Sequence, residues 1–428
     1  MPTSQILRFA GDVELEKAKV ISSSGFFQDI SNQIIGIQIF EDLASPFITG
    51  TLVIKDSLDL INLFPFVGEE YLELKISTPT LKKGNLDSKF YIYKMTDRSM
   101  IGDRSVVYQL HFISQDALLD MNKSISKTFS GKVSDIAKTL MEDKTVGLQV
   151  SSTKYTIEET TSSTKYTSNF WSPVRNILYL TENANNVNNS PSYVFFENRD
   201  GYNFVSLSYL YKQPAIQEFV YDNYSRDDRA LSGSVKNLEE DFKRITDIKI
   251  PTGVDYMERI TSGIYGSRMY THDILSKKIS SKNFDMLESF KQKPHLNEFP
   301  TASKKAVYRY GALTTFEPKY YNNFSNFGDV TNSSIIQERT SLLKQSQSTK
   351  VEITVPGRWD YTVGRKVDLK LNKVEPISKT DKKTLDNMFS GNYLISAINH
   401  FITREKHECT LELIKDSLLL NLDAGKTK

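Results

Sequence analysis

VGRKVDLKL at Val363–Leu371, followed by SGNYLISAINHFITREKHECTLELIKDSL at Ser390–Leu418, brings the chain towards its end on alternating strands. A similar pattern stands near the beginning: VGEEYLELKI at Val67–Ile76, then KFYIYKMTDRSMIGDRSVVYQLHFIS at Lys89–Ser114. Each has a Val-Gly turn, an alternating strand, a polar loop and a long two-stranded hairpin. The first inward residue, Leu72, lies four past Gly68, whereas Val367 lies three past Gly364. Strand side chains repeat every two residues, so a bulge is expected to absorb this slip. Val-Gly turns are ordinary, and the pattern admits convergence as well as two copies of one β-module, the second split by an insertion. Two modules in a trimer make six similar units, which lets threefold symmetry meet a sixfold partner.

Working outward, residues 1–115 read as β-rich. Ile35, Ile37 and Ile39 alternate with Gln38, and Leu52 and Ile54 alternate with Thr51 and Lys55. Ile101-Gly102-Asp103 supplies turn chemistry for the long hairpin, and His111 falls on its second strand. Residues 116–230 read as a mixed α/β unit. A helix is expected in GKVSDIAKTLMED, with Val133, Ile136, Ala137, Leu140 and Met141 inward and Ser130 as candidate cap. A second opens at Ser172-Pro173, with Val174, Ile177, Leu178 and Thr181 inward. SSTKYT occurs at Ser151 and again at Ser162, read as exposed hairpin strands, and a further hairpin turns at Asp200-Gly201.

Residues 231–280 return to β character, with FKRITDIKI alternating and YMERITSGIYGSRMYTHDILSKKI extended. Residues 281–345 read as an insertion: polar and aromatic loops as far as Ser334, then a short helix using Ile335, Ile336, Arg339, Leu342 and Leu343. Residues 346–418 complete the β pattern, and 419–428 form a tail.

Hydrophobic residues at 39% and aromatics at 11% suffice for several cores. Lys plus Arg number 54 against 52 Asp plus Glu, a net charge of +2, which argues against a surface that grips nucleic acid or anionic membrane as a whole. The single cysteine, Cys409, allows no intrachain disulfide and reads as a buried structural thiol. The start carries no secretory pattern, and no apolar run approaches the ~20 residues of a membrane span, so folding in a reducing cytoplasm is expected.

Candidate chemistry is sparse. His111, His272, His295, His400 and His407 show no zinc-ligand spacing to one another, to Cys409 or to a carboxylate, and His111 and His400 lie in corresponding hairpins. Gly357 and Gly364 before Arg365-Lys366 are too far apart for a phosphate loop. Asp222, Asp227 and Asp228 alternate with Arg226 and Arg229, as in a solvated turn. Trp171 and Trp359 are assigned to core or interface packing. No catalytic, cofactor-binding or metal-binding residue is therefore assigned.

FSGNYLISAINHFITREKHECTLELIKDSL, preceded by ITVPGRWDYTVGRKVDL, resembles the C-terminal part of the baseplate hub proteins of contractile-tailed, T-even-type phages. SPFITGTLVIKDSLDLINLFPFVGEEYLELKI is similar to their opening tube domain. YQLHFISQDALLDMNKSISKTFSGKVSDIAKTL, WSPVRNILYLTENA and SYVFFENRDGYNFVSL are similar to their middle domain. FKRITDIKIP and GIYGSRMYTHDILSKK resemble the return into the second tube domain, so the likeness runs from about Phe26 to Leu418 and is weakest from Ser281 to Ser334.

The resemblance implies an α+β, β-dominated fold. Two similar antiparallel β-barrel tube domains are expected (1–115, and 231–280 with 346–418), around a mixed α/β middle domain. It implies a structural, non-enzymatic homotrimer whose tube domains make a pseudo-sixfold ring. The ring joins a trimeric central spike protein to a hexameric tail tube or tube initiator, with baseplate wedge proteins as further partners. DNA passes through without specific binding, no cofactor is used, and nothing inserts in a membrane. The expected location is the virion baseplate. The hub region of type VI secretion spike proteins is a related arrangement. The alternatives are a cell-wall or polysaccharide hydrolase on a β-scaffold, and a glycan- or receptor-binding tail protein.

Overall fold

The computed structural model describes residues 9–63, 67–79, 85–102, 104–221, 238–252, 254–306, 310–318, 335–373, 385–404 and 406–424. Six strands come from the first part of the chain: β1 (Glu14–Ile21), β2 (Ile34–Asp42), β3 (Thr49–Asp56), β4 (Tyr71–Ser77), β5 (Leu86–Ile101) and β6 (Ser105–Ser114). Six more come from the later part: β7 (Ala215–Tyr221), β8 (Asp247–Thr252), β9 (Thr349–Pro356), β10 (Lys366–Leu371), β11 (Gly391–Thr403) and β12 (His407–Lys415). With the short strand Phe27–Asp29 they form one 13-stranded sheet.

The two sets share one plan. The first is ordered β1-β4-β5-β6-β3-β2 and the second β7-β10-β11-β12-β9-β8. They differ in the outermost pairing, antiparallel for β1 with β4 and parallel for β7 with β10. The likeness extends to register: β5 slips against β6 between Ile92 and Lys94, and β11 slips against β12 at the matching place, between Ile395 and Ala397. A shared bulge is a stronger sign of common construction than shared alternation, because a bulge has a fixed address in a ladder. Each module has its own core: Leu52, Leu72, Phe90, Leu110 and Phe112 in the first, and Val351, Val367, Tyr393, Leu411 and Leu413 in the second.

The slip after the two Val-Gly turns is absorbed differently from expectation. Neither β4 against β5 nor β10 against β11 is bulged. The extra residue sits in the turn, where the Glu70 carboxylate accepts from the N–H groups of Val67, Gly68 and Glu69 at 2.8, 2.9 and 3.1 Å. Gly68 and Gly364 both hold positive φ, 92° and 82°, which suits glycine in such turns. Ile35, expected inward, is 45% exposed while Ile34 is buried, because β2 is bulged against β3 between Ile34 and Gly36. Asp103 of the proposed hairpin turn lies outside the described residues.

The middle region buries helices Val133–Glu142 and Pro173–Asn183 against a three-stranded sheet. Ser172 caps the second helix as read, accepting from Arg175 N–H at 3.3 Å, but Leu178 faces out and Leu180 in. The first helix starts after Lys132, not at Ser130, which lies in a strand; its Ser134 N–H is satisfied by Thr160 Oγ1 at 2.9 Å. The two SSTKYT stretches do not pair with each other. Tyr155–Ile157 joins Gly201–Ser206, and Ser163–Thr167 joins Thr128–Lys132.

Further along, Tyr256–Thr261 is helical where extended chain was expected, capped by the Asp255 carboxylate at 2.9 Å from Glu258 N–H. The loop reading after Ser281 also changes. Lys278–Asp285 and Thr314–Pro318 flank Gly266–Asp273 in a three-stranded sheet. Lys278–Asn283 is exposed on both faces, so no alternation marked it. Helix Ile336–Ser346 buries Gln337, Ser341, Gln345 and Ser346, while Ile336 and Leu342 are half-buried and Leu343 packs against the core of the second module. Gln337 Nε2 donates to Ser267 O at 3.0 Å, and Ser341 Oγ to Ile264 O at 2.6 Å, so this helix docks by polar contacts.

Candidate assembly interface

The modules meet strand to strand. Along one flank, β11 pairs first with β10 over Gly391–Leu394 and then with β2 over Ala397–Thr403. Its counterpart β5 pairs with β4 over Leu86–Tyr91, and its flank from Ile92 onward has no strand partner among the described residues. At the other end of the sheet, β8 pairs with β9 alone, whereas its counterpart β2 is covered by β11. Among the open flanks of the sheet, those of β5 and β8 are thus the unlike pair that matches the internal seam. Near the β5 edge Tyr93, Met100 and Ile101 are 50, 75 and 53% exposed, and beside β8 Ile250, Val254 and Met257 are 41, 63 and 73% exposed.

The internal seam is reinforced by the loop leading into β10. Trp359 in this loop is buried in the core of the first module, beside Ile402. Glu41 on β2 is buried and accepts from Val363 N–H at 3.0 Å and from the Thr362 hydroxyl. The hairpin at Asp200-Gly201 in the middle region clasps the same loop: Asn198 Nδ2 donates to Val363 O at 3.0 Å, Arg199 donates to Trp359 O, and Arg365 donates to Asp200 at 2.8 Å. The Gly357–Gly364 stretch is therefore a packed joint and not a phosphate cradle, and Lys366 is spent on Tyr211 O at 3.1 Å.

Burial pushes the Glu41 carboxyl up to about 7, with the Thr362 and Val363 hydrogen bonds pulling against it. The folded chain consequently prefers the protonated acid. Glu41 contributes fully below its ordinary 4.5, and that contribution is lost as the pH rises to about 7. Glu41→Gln should gain on the wild type across this window by on the order of 3 kcal/mol and then hold level. Urea midpoints of both proteins between pH 4.5 and 8 check this, and parallel profiles would count against it.

The sequence-singled residues disperse. His272 is exposed on a strand. His111 meets Thr96 Oγ1 at 2.8 Å. By ladder position His111 matches Glu412, and His400 matches Asp97, so the two histidines are not equivalent. His295 and Asp416 form a buried pair, Nδ1 to Oδ2 at 2.5 Å. Asp222, Asp227 and Asp228 lie outside the described residues. Trp171 stacks among Tyr166, Tyr179 and Arg175.

The reading that no histidine pairs with another or with the cysteine is corrected. His400, His407 and Cys409 converge, all fully buried. A signal was present: a strand puts residues 407 and 409 on one face, and pairing of Gly391–Thr403 with His407–Lys415 sets His400 opposite Cys409. Spacing rules written for helices and loops miss it.

This fold is found in phage tail proteins. The chain superposes on the 43 kDa tail protein of prophage MuSo2 from Shewanella oneidensis with TM-score 0.55 at 8% identity, covering 94% of this chain and 99% of that one. It superposes on a tail protein from Neisseria meningitidis MC58 with TM-score 0.51 at 11% identity, covering 94 and 96%. In sequence it resembles phage baseplate hub proteins. It is 23% identical over 424 residues to the "Probable baseplate hub protein" of Vibrio phage KVP40, across 94% of each chain. No family model matches. Among the described residues no helix is long and apolar enough to cross a membrane.

Proposed function

We propose that the chain is a structural baseplate hub of a contractile phage tail, acting as a homotrimer whose six modules close a pseudo-sixfold ring. The carrying observation is the internal seam beside the open flanks of β5 and β8. The seam pairs Ile402 with Ile37 and Phe401 with Gln38. Transferred through the matched ladders, these contacts become Met100 with Ile248, and Ser99 with Lys249, of the neighbouring protomer. Repeating one head-to-tail contact gives a ring if the rotation closes and a filament if it does not. Three chains alternate internal and external seams, giving six in all.

In this reading residues 1–115, and 231–280 with 346–418, are the two tube domains, and the middle domain braces the joint between them. One ring face meets the hexameric tube or its initiator. The other receives the trimeric spike, with wedge proteins outside. The solvent faces of the sheets carry cross-strand pairs, Lys17 with Glu73 at 2.5 Å, Lys75 with Glu16 at 2.6 Å and Lys370 with Glu218 at 2.5 Å. A lysine paired in this way offers less free charge to a phosphate, which suits a lumen that lets DNA pass. The site of action is the virion baseplate, after assembly in host cytoplasm. A hydrolase is the less favoured reading: Glu41 and Glu197, whose carboxyls are raised by burial, are closed by backbone and hydroxyl donors.

The test joins cysteines at Met100 and Ile248 with a short thiol cross-linker, at high chain concentration and with the spike partner present. Covalent ladders should end at three chains, and electron microscopy should show an annulus with an axial opening. Absence of cross-links, growth past three, or a solid particle would overturn the proposal.

A further inference from the structure

His400 Nδ1 and His407 Nε2 are 3.0 Å apart, and Cys409 Sγ lies 3.3 Å from the first and 3.4 Å from the second. Protons satisfy this triangle in one pattern only, with one imidazole N–H donating to the Cys409 sulfur while the thiol donates to the other ring, and both of those bonds are weak. If one imidazole N–H donates to the other ring, it uses that ring's only lone pair, and both inward nitrogens are then closed to the thiol proton. If both rings carry their protons outward, two lone pairs face each other and the thiol serves only one. A neutral cluster therefore rests on two weak sulfur hydrogen bonds at best, and in its other forms leaves buried contacts unmade. The outward atoms, His400 Nε2 and His407 Nδ1, have no hydrogen-bond partner among the described residues.

One cation would serve all three inward lone pairs at once. Tetrahedral coordination with metal–nitrogen bonds of ~2.0–2.1 Å and a metal–sulfur bond of ~2.3 Å separates donors by roughly 3.3–3.6 Å, within a few tenths of an ångström of the observed triangle. Imidazole and thiolate are also the donor set preferred by borderline and soft transition metals.

The surroundings hold the triangle in place. Trp359 lies nearly flat on His400, with centroids 4.6 Å and planes 19° apart, and covers His407 at 5.1 Å. His407 N–H donates to Gly11 O, and its carbonyl accepts from Gly357 N–H, each at 2.8 Å. A Cβ on Gly357 would sit 2.2 Å from the His407 ring, so glycine makes room for it.

We propose that His400, His407 and Cys409 bind one transition-metal ion of the Zn2+ or Cu+ class, which pins the β11–β12 hairpin at the seam between the modules. Binding exchanges the thiol proton for the metal–sulfur bond and releases that proton to solvent. The ion's own charge compensates the thiolate it creates.

The test uses the full chain, purified without chelator or polyhistidine tag, with metal content measured by mass spectrometry. About one ion per chain is expected, retained through gel filtration. Co2+ loaded into chelator-treated wild type should give a thiolate-to-cobalt charge-transfer band, absent from Cys409→Ser. Zn2+ or Cu+ should raise the thermal midpoint of the wild type and leave that of Cys409→Ser unmoved. Folded wild-type chain that holds no ion after incubation with Zn2+, Co2+ and Cu+, or a cobalt spectrum unchanged in Cys409→Ser, overturns the assignment. The cobalt spectrum of the wild type decides the matter even if the variant fails to fold.

Discussion

Trp359→Ala is expected to cost about 3–5 kcal/mol and to split unfolding into two transitions. The side chain is 1% exposed and belongs by contact to the core of the first module, although the chain delivers it from the second. Removing it opens a void at the one place where both modules, the Arg199 guanidinium and the His400 and His407 rings meet. Little can collapse into that void, because its walls are strands fixed in a common ladder. Urea unfolding followed by circular dichroism should show the first module melting early. Trp171, half-buried in the middle region, remains as a local fluorescence probe. A midpoint within error of the wild type, in a single transition, would contradict this account of the joint.

Gly50→Val should be about as damaging, by overfilling. A Cβ at Gly50 would lie 2.2 Å from the Phe112 ring and 2.5 Å from Gln38 O. Overpacking typically costs about 1–3 kcal/mol, and a backbone obstacle puts this site at or above the top of that range. The second module solves the same position in reverse. Its ladder equivalents are Val351 and Leu413, a larger residue against a smaller one. The β8–β9 pair also shifts register between Lys249 and Thr252, beside Val351. Adding Phe112→Leu to Gly50→Val should therefore restore part of the loss, and the Gln38 carbonyl should withhold the rest. Denaturant midpoints for the two single variants and the double variant measure the coupling. Strict additivity would show that the exchange between modules is coincidental.

Legibility in the sequence followed the physics of burial. Strands with one wet and one dry face, such as Tyr71–Ser77 and His407–Lys415, carried alternation strong enough to reveal the repeat. Lys278–Asp285 has no dry face along most of its length, and from Ser281 onward it reads as loop. Helix Ile336–Ser346 buries glutamine and serine more deeply than isoleucine and leucine, so its apolar residues mark only part of its inner face. The seam was invisible because β2 reads the same whether its outer flank meets solvent or another strand; pairing uses backbone groups, which leave little trace in side-chain pattern. The histidine and cysteine triangle was missed for a related reason. Its members join across a hairpin register, and the decisive residue, Trp359, arrives from 41 positions before His400.

The open edges at β5 and β8 have a consequence for the life of the newly made chain. If these edges join as proposed, each molecule leaves the ribosome bearing two sticky lips of opposite kind, through which any two molecules can mate. Nothing in a single lip counts partners. In the proposed ring, only the accumulated bend of the growing arc would decide whether the third arrival seals the loop or a fourth begins a fibre. A small change in the angle between modules, far from either lip, could thus turn a soluble component into a polymer without weakening one contact.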